Sequence, residues 1–283
     1  VITNVSEAHI ENFKNLSGIA KAKAEIIQNI QKGGTIILNR DDKFFNYFKK
    51  IAKNNRINVK SFGYSKKSDI KFLSIKQRQN IFTLKLFADK KNIDIIVNNN
   101  NRNYLMNILC CVAILNELGL NLNKVKKFFK NQTPLKGRGR INAVKKFNKR
   151  FFLIDESYNA NPMSVKSAIQ NFSNIEKKGK KKYFLFGDML ELGKNSEIYH
   201  KNISKYINSS NIDKTFVYGN KSAKTFKFLK KNKKGEILKN LKSFDDKISK
   251  VLENGDFLMI KGSNATKLHQ VSEKYLKGSN NAL

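Results

Sequence analysis

Apolar positions along the chain follow two different periods. In "IAKAKAEIIQNI" and "FFNYFKKIAK" they recur every three to four residues, the spacing that gathers them on one helical face. In "TIILNR" and "INVKSFG" they form short runs bounded by Gly, Asn and Asp, as strands do. The stretch from Ser68 to Val97 alternates weakly and predicts several antiparallel strands. "NYLMNILCCVAILNELG" predicts a long buried helix ended by Gly119. "VITNV" reads as the end of a buried strand, and "SEAHIENFKNLSG" as a polar loop with a turn. Beyond "NQTPLKGRGRIN", which Pro134, Gly137 and Gly139 interrupt, the pattern changes. Apolar runs "RFFLID", "KYFLFGD", "KTFVYG", "GEILKN" and "DFLMIKGS" now alternate with helical stretches. That alternation predicts a parallel sheet with helices on both faces. The expected fold is α/β, with a mixed sheet and its helices over 1–146 and a second domain over 147–283.

Open parallel sheets bind ligands at the carboxyl ends of their strands. Three polar segments, "DESYNANP", "GDMLELG" and "KGSN", each follow an apolar run here, so their hydrogen-bonding groups are expected to face a ligand. Composition changes this picture little. With 56 Lys and Arg against 22 Asp and Glu, the 283-residue chain carries a net charge of +34. Such a charge suggests nucleic acid, but the lysines are spread along the whole length. They come without a basic-aromatic platform, zinc-finger spacing or helix-turn-helix signature. The charge therefore reads as a compositional drift toward Lys, Asn, Ile and Phe that would also steer a polyanionic substrate, with no nucleic-acid partner. The two cysteines, Cys110 and Cys111, are adjacent on a predicted helix, poorly placed to bridge each other, and read as buried thiols in a reducing cytoplasm. No apolar run is long enough to span a bilayer. The chain begins at Val1 rather than Met, which suggests that it starts mid-protein, and it contains no Gly-x-x-x-x-Gly-Lys-Ser/Thr phosphate loop.

Several residues could carry chemistry, and each has a plain alternative. His9, near Glu7, could ligate a divalent metal or be an ordinary loop histidine. Lys23 lies in an apolar-patterned helix where Lys21 and Lys23 cannot both point outward comfortably. A half-buried lysine is open to chemical modification; the alternative is a snorkelling surface side chain. Asn107, amid "YLMNILCC", reads as a buried amide that needs either backbone partners or a planar ligand such as adenine. "KGRGR" sets arginines in a glycine frame suited to phosphate oxygens, or is a solvated linker. Asp188 and Glu191 of "GDMLELG" could act on a ligand, with Asp188 as a helix cap the alternative. Gly262, Ser263 and Asn264 open a helix that could attract an anion or simply be capped.

Taken in order, "TNVSEAHIENFKNLSGIAKAKAEI", "NYLMNILCCVAILNELGL", "PLKGRGR", "LIDESYNANPMSVKSAI", "GDMLELG" with a following His200, and "IKGSNATKLHQV" closely resemble the Mur ligase family. Within it, "YNANP" with "GDMLELG" resembles the branch that adds D-alanyl-D-alanine to UDP-N-acetylmuramoyl-tripeptide. The resemblance implies the later part of a central ATPase domain followed by a Rossmann-like carboxy-terminal domain. It also implies ATP and Mg2+ as cofactors and a cytoplasmic, monomeric bacterial enzyme. His9 matches the family's magnesium-ligating histidine, and Lys23 the lysine that becomes carbamoylated and holds magnesium. Asn107 matches the adenine-side asparagine and Arg138 the arginine near the γ-phosphate. Glu156, Tyr158 and Asn159 match the nucleotide-closing segment. Asp188 is expected near the reacting groups, and Asn161, Lys261 and Ser263 near the substrate. The implied reaction runs through an acyl phosphate, with domain closure about "KGRGR" and convergence of the two sheets' carboxyl rims. The segment upstream of Val1, including a phosphate loop, is expected to be required for turnover. "KGSN" lacks the second basic residue expected after its serine. A ligase of the same family adding another amino acid, or a basic nucleic-acid-binding module, are the competing readings.

Overall fold

The computed structural model describes residues 1–7, 10–79, 81–176 and 178–277, with the side chain of Val125 left out. The chain divides into two compact units, one of Val1–Ser6 with Asn15–Gln132 and the other of Glu7–Lys14 with Thr133–Leu283. A four-residue helix, α1 (Ile10–Phe13), replaces the expected loop and belongs to the second unit.

In the first unit, α2 (Leu16–Gln28) starts where the Asn15 side chain accepts the Gly18 N–H. Ile19, Ala20, Ala24 and Ile27 form its buried face. Next come β1 (Thr35–Asn39), α3 (Phe45–Asn54), β2 (Asn58–Gly63), β3 (Ile70–Arg78), β4 (Ile81–Ala88) and β5 (Lys91–Val97). They build a five-stranded sheet in the order β1-β2-β3-β4-β5. The first three strands run parallel and the last two pairings are antiparallel. Helix α4 (Arg102–Glu117) packs Leu105, Ile108, Leu109 and Val112 onto one face of that sheet, followed by the short α5 (Leu122–Val125). Asp41 and Asp42, at the end of β1, bind backbone amides: Asp41 accepts from Tyr64 and Ser65, Asp42 from Val5 and Phe44. The expected strand in "VITNV" is reduced to a bridge between Ile2 and Leu38.

The second unit holds β6 (Arg140–Lys146), β7 (Lys149–Asp155), α6 (Pro162–Asn174), β8 (Lys182–Gly187), α7 (Ser196–Ser209), β9 (Lys214–Tyr218), α8 (Ser222–Lys227), β10 (Lys234–Leu238), α9 (Lys242–Val251), β11 (Phe257–Lys261) and α10 (Leu268–Leu276). Its sheet has the order β10-β9-β8-β11-β7-β6, all parallel except β6, which pairs antiparallel with β7. Alternate strand residues feed two cores. Phe184, Phe186 and Met259 meet α6 and α7 on one face, while Tyr183, Leu185, Leu258 and Ile260 meet α9 and α10 on the other. This is the expected α/β arrangement: a mixed sheet with helices, then a doubly wound sheet. The domain division expected at 146 falls inside the β6–β7 hairpin, whose seven-position ladder ties β6 to the second unit.

Candidate functional site

From β8 the chain leaves through α7 toward β9, whereas from β11 it leaves through α10, which packs against β6 and β7. The connections thus part between neighbouring strands, and such a divergence opens a crevice at the carboxyl ends. Asp155, Gly187 and Lys261 end β7, β8 and β11 there.

Asp155, only 2% exposed, organises the first loop. Its Oδ2 accepts the Gly137 N–H at 3.0 Å, and its Oδ1 accepts the Ser157 N–H and hydroxyl at 3.2 and 2.6 Å. Its carbonyl accepts the Gly139 N–H at 2.7 Å, and the Gly137 carbonyl accepts the Tyr158 N–H at 3.1 Å. Both glycines have positive φ, 74° and 89°. A Cβ on Gly137 would lie 2.9 Å from Tyr158 Cβ, and one on Gly139 would lie 2.8 Å from Glu156 Oε1, so only glycine fits either place. The expected hinge segment "KGRGR" is therefore laced into the second unit. Between its glycines, exposed Arg138 sets its guanidinium 4.2 Å above the exposed Tyr158 ring.

Lys261 is 2% exposed and points its ammonium at Asn159 O (3.0 Å), Glu156 Oε2 (3.3 Å) and Glu156 O (3.5 Å). Burial pushes its pKa down, against the opposing pull of the Glu156 carboxylate. Ser263 Oγ donates to Ala160 O and accepts the Leu190 N–H, and Asn264 Nδ2 donates to Tyr158 O. Asn161 caps α6, its Oδ1 accepting the Ser164 N–H in a capping box before Pro162. Asn159 Oδ1 accepts the Ala160 N–H. Asp188 caps the start of α8 rather than a helix of its own, accepting the Ser222 and Lys221 N–H groups at 2.6 and 3.3 Å.

His200 is fully buried beneath this second loop. Its Nε2 accepts the Met189 N–H at 2.9 Å and its Nδ1 lies 2.7 Å from Ser196 O, a pairing that suits the neutral Nδ1–H tautomer. Burial pushes its pKa down, with Asp188, Glu197 and Lys221 nearby. Because the folded chain resists protonating His200, its contribution to stability is intact above the ordinary histidine pKa of about 6.5 and fades as pH falls below it. Wild-type protein should therefore lose more melting temperature between pH 7.5 and 5.5 than His200→Gln does, as scanning calorimetry would record.

The structure thus gathers Arg138, Glu156, Tyr158, Asn159, Lys261 and Ser263 at one strand edge, with Asp188 joined through its carbonyl to the Ser263 N–H. Lys23 and Asn107 belong to the other unit, and His9 lies outside the described residues. Three expectations are corrected. Asn107 is exposed on α4, not buried, and Lys21 and Lys23 are both exposed on α2, which is the surface alternative for Lys23. Cys111 is likewise exposed, whereas Cys110 is buried, its thiol pushed up to about 11 by burial and its neighbour Cys111. Among the described residues, no group of three His, Cys, Asp or Glu side chains could hold a metal ion. No described helix is long and apolar enough to cross a membrane. The loop-organising role of Asp155 and the bond from Asn264 to the Tyr158 carbonyl are what sequence reasoning did not foresee.

Known proteins share both halves of this architecture. Residues 1–115 match the Mur ligase middle domain, and residues 139–264 match the Mur ligase glutamate ligase domain. The chain belongs to the Mur ligase family. One curated relative, the UDP-N-acetylmuramoyl-tripeptide–D-alanyl-D-alanine ligase of Rickettsia prowazekii, is 30% identical over 276 residues. That match covers 97% of this chain and 60% of the relative, so the chain spans well under two thirds of the relative's length. Among solved structures, MurF of Acinetobacter baumannii superposes with a TM-score of 0.82 at 22% identity, over 98% of this chain and 59% of the other. MurF ligase of Thermotoga maritima in complex with ADP gives 0.78 at 20%, over 97% and 60%. At these identities the structures establish the shared Mur ligase fold.

Proposed function

We propose that this chain forms part of an ATP-dependent amide-bond ligase joining D-alanyl-D-alanine to UDP-N-acetylmuramoyl-tripeptide, in the cytoplasm and as a monomer. The γ-phosphoryl group of ATP passes to the terminal carboxylate of the tripeptide, giving an acyl phosphate and ADP. The dipeptide's free amine then attacks the acyl carbon. The tetrahedral intermediate collapses with loss of phosphate, and the amine's surplus proton leaves as the amide forms. One observation carries the reading: Arg138 and the 156–161 loop, which the sequence pairs with the family's nucleotide-handling motifs, meet in an exposed cluster at the strand ends. The printed name of the Rickettsia relative and the ADP complex of the Thermotoga protein support it.

The role given to Arg138 is electrostatic. A guanidinium offers a planar fork of donors to phosphoryl oxygens as charge redistributes in the transition state. Tyr158 and the glycine frame would hold it for that task. Magnesium is expected for the family, and Lys23, once carbamoylated, would supply an oxyanion that an ammonium cannot. The described residues alone do not make a magnesium site, and the roles of Arg138 and the 156–161 loop do not depend on one.

The test is phosphate release by the protein as its cell makes it. Release should require ATP, UDP-N-acetylmuramoyl-tripeptide and D-alanyl-D-alanine together. Lys23→Ala should abolish it, with a small carboxylate restoring part of the rate. A single amino acid serving in place of the dipeptide would move the assignment to another Mur ligase activity, and release indifferent to muramoyl peptide would reject the proposal.

A further inference from the structure

We propose that Lys261 and Ser263 are positioning residues that rivet the 156–161 loop to the 188–190 loop, instead of touching the substrate as the family resemblance implies. The inference rests on the ligase reading for its kinetic arm alone. Every donor that these two side chains possess is already committed. An ammonium has three hydrogens, and three oxygens stand around Lys261 Nζ, at 3.0 Å from Asn159, 3.3 Å from the Glu156 carboxylate and 3.5 Å from the Glu156 carbonyl. Ser263 spends its one hydrogen on Ala160 O at 3.2 Å and accepts the Leu190 N–H at 2.8 Å. The Ser263 N–H bonds Asp188 O at 2.9 Å, and Asn264 Nδ2 reaches Tyr158 O at 3.4 Å.

The carbonyls of Glu156, Tyr158, Asn159 and Ala160 are thus all received by the short segment from Lys261 to Asn264. An anionic ligand approaching Lys261 would have to displace the Glu156 carboxylate from a side chain that is only 3% exposed. A buried cation stripped of its partner is costly, so that exchange is disfavoured. What the rivet transmits is geometry. It holds Glu156 so that Oε1 stands 2.8 Å from where a Cβ on Gly139 would lie, and it holds Tyr158 close against Gly137. Arg138 lies between those two glycines, so its backbone is held from both sides.

The experiment compares wild type with Lys261→Met and Ser263→Ala in two readouts. In hydrogen exchange on the free protein, amides of 156–161 and 188–192 should be protected in the wild type and exchange at least about tenfold faster in either variant. In the ligase assay, kcat should fall about tenfold or more, with KM for each substrate changed by less than about twofold. A rise in KM for the dipeptide or the muramoyl peptide, with kcat and exchange unchanged, would overturn the proposal and restore direct substrate contact. If Lys261→Met fails to fold, Ser263→Ala alone carries both readouts. Unprotected 156–161 amides in the wild type would overturn the proposal without any variant. Should the wild type show no ligase activity, the functional reading fails while the exchange result still decides the positioning role.

Discussion

Replacing Lys182 by methionine should lower the unfolding free energy of the carboxy-terminal unit by about 3 kcal/mol or more. Lys182 opens β8 and is completely buried, yet it is not stranded. Its ammonium donates to Phe172 O (2.7 Å), Ser173 O (3.1 Å), Ile175 O (2.6 Å) and Asn211 Oδ1 (3.1 Å), and lies 5.4 Å from the Phe172 ring centroid. The three carbonyls belong to the end of α6, where the last turn leaves acceptors without intrahelical partners and the helix dipole favours a cation. Methionine keeps most of the volume, so the change isolates the hydrogen bonds from any cavity. Buried ion pairs can often be exchanged for apolar groups at little cost, but only when both partners go. Here three of the partners are main-chain carbonyls that no substitution removes; Ser173 O would keep the Asn211 amide, but Phe172 O and Ile175 O would lose the ammonium. Hydrogen exchange of β8 amides across a denaturant series measures the loss. A change below about 1 kcal/mol would mean that water replaces the ammonium at the end of α6.

Lys182 also shows where sequence reading stops. In "KYFLFG" it looks like a solvated residue before an apolar run, and nothing local says that a helix end ten residues earlier needs a cation. The elements themselves were legible because their signal is local. The 3.6-residue repeats gave α2, α3 and α4, the apolar runs gave the parallel strands, and the Pro and Gly cluster marked the passage between patterns. The expected division at 146 cuts the β6–β7 ladder because such a ladder is a pairing between segments, and hairpin membership leaves little trace in the hydropathy of either strand. Asn107 was misread through its neighbours. Taken with Asn103 and Cys111, it repeats every four residues and traces the exposed stripe of α4, so the amide belongs to the polar side of an amphipathic helix.

The candidate site was legible in its membership more than in its wiring. Motif order brought Arg138, Glu156, Tyr158, Lys261 and Ser263 forward, and all of them lie at the carboxyl edge of one sheet. Motifs do not reveal which of these groups already satisfy one another. Asn161 is taken by its own helix, Asp188 by the start of α8, and Lys261 by Glu156 and two carbonyls. Asp155 reads in sequence as one of the polar groups of "DESYNANP" facing a ligand, whereas its carboxylate is taken by Gly137 and Ser157 and organises the loop instead.

Arg138→Ala should reduce kcat of the proposed ligase reaction by about 10²–10³-fold, the usual cost of losing one preorganised group that meets developing charge. Among the side chains gathered at the strand edge, Arg138 stands out for combining a fixed backbone with an exposed charged end. Gly137 and Gly139 are both pinned to Asp155, while among the described residues the guanidinium rests on the Tyr158 ring. It is therefore aimed without being used up, unlike Lys261. Arg138→Lys should recover little, because an ammonium neither stacks on the ring in the same way nor presents two parallel donors to a phosphoryl group. Tyr158→Ala should cost less, about tenfold at most, since it removes a stack worth roughly 0.5–1 kcal/mol at an exposed site and leaves the charge in place. Steady-state kinetics with all three substrates saturating would rank the variants. Arg138→Ala within about twofold of wild type would remove Arg138 from the reaction, and with it the electrostatic role argued for the strand-edge cluster.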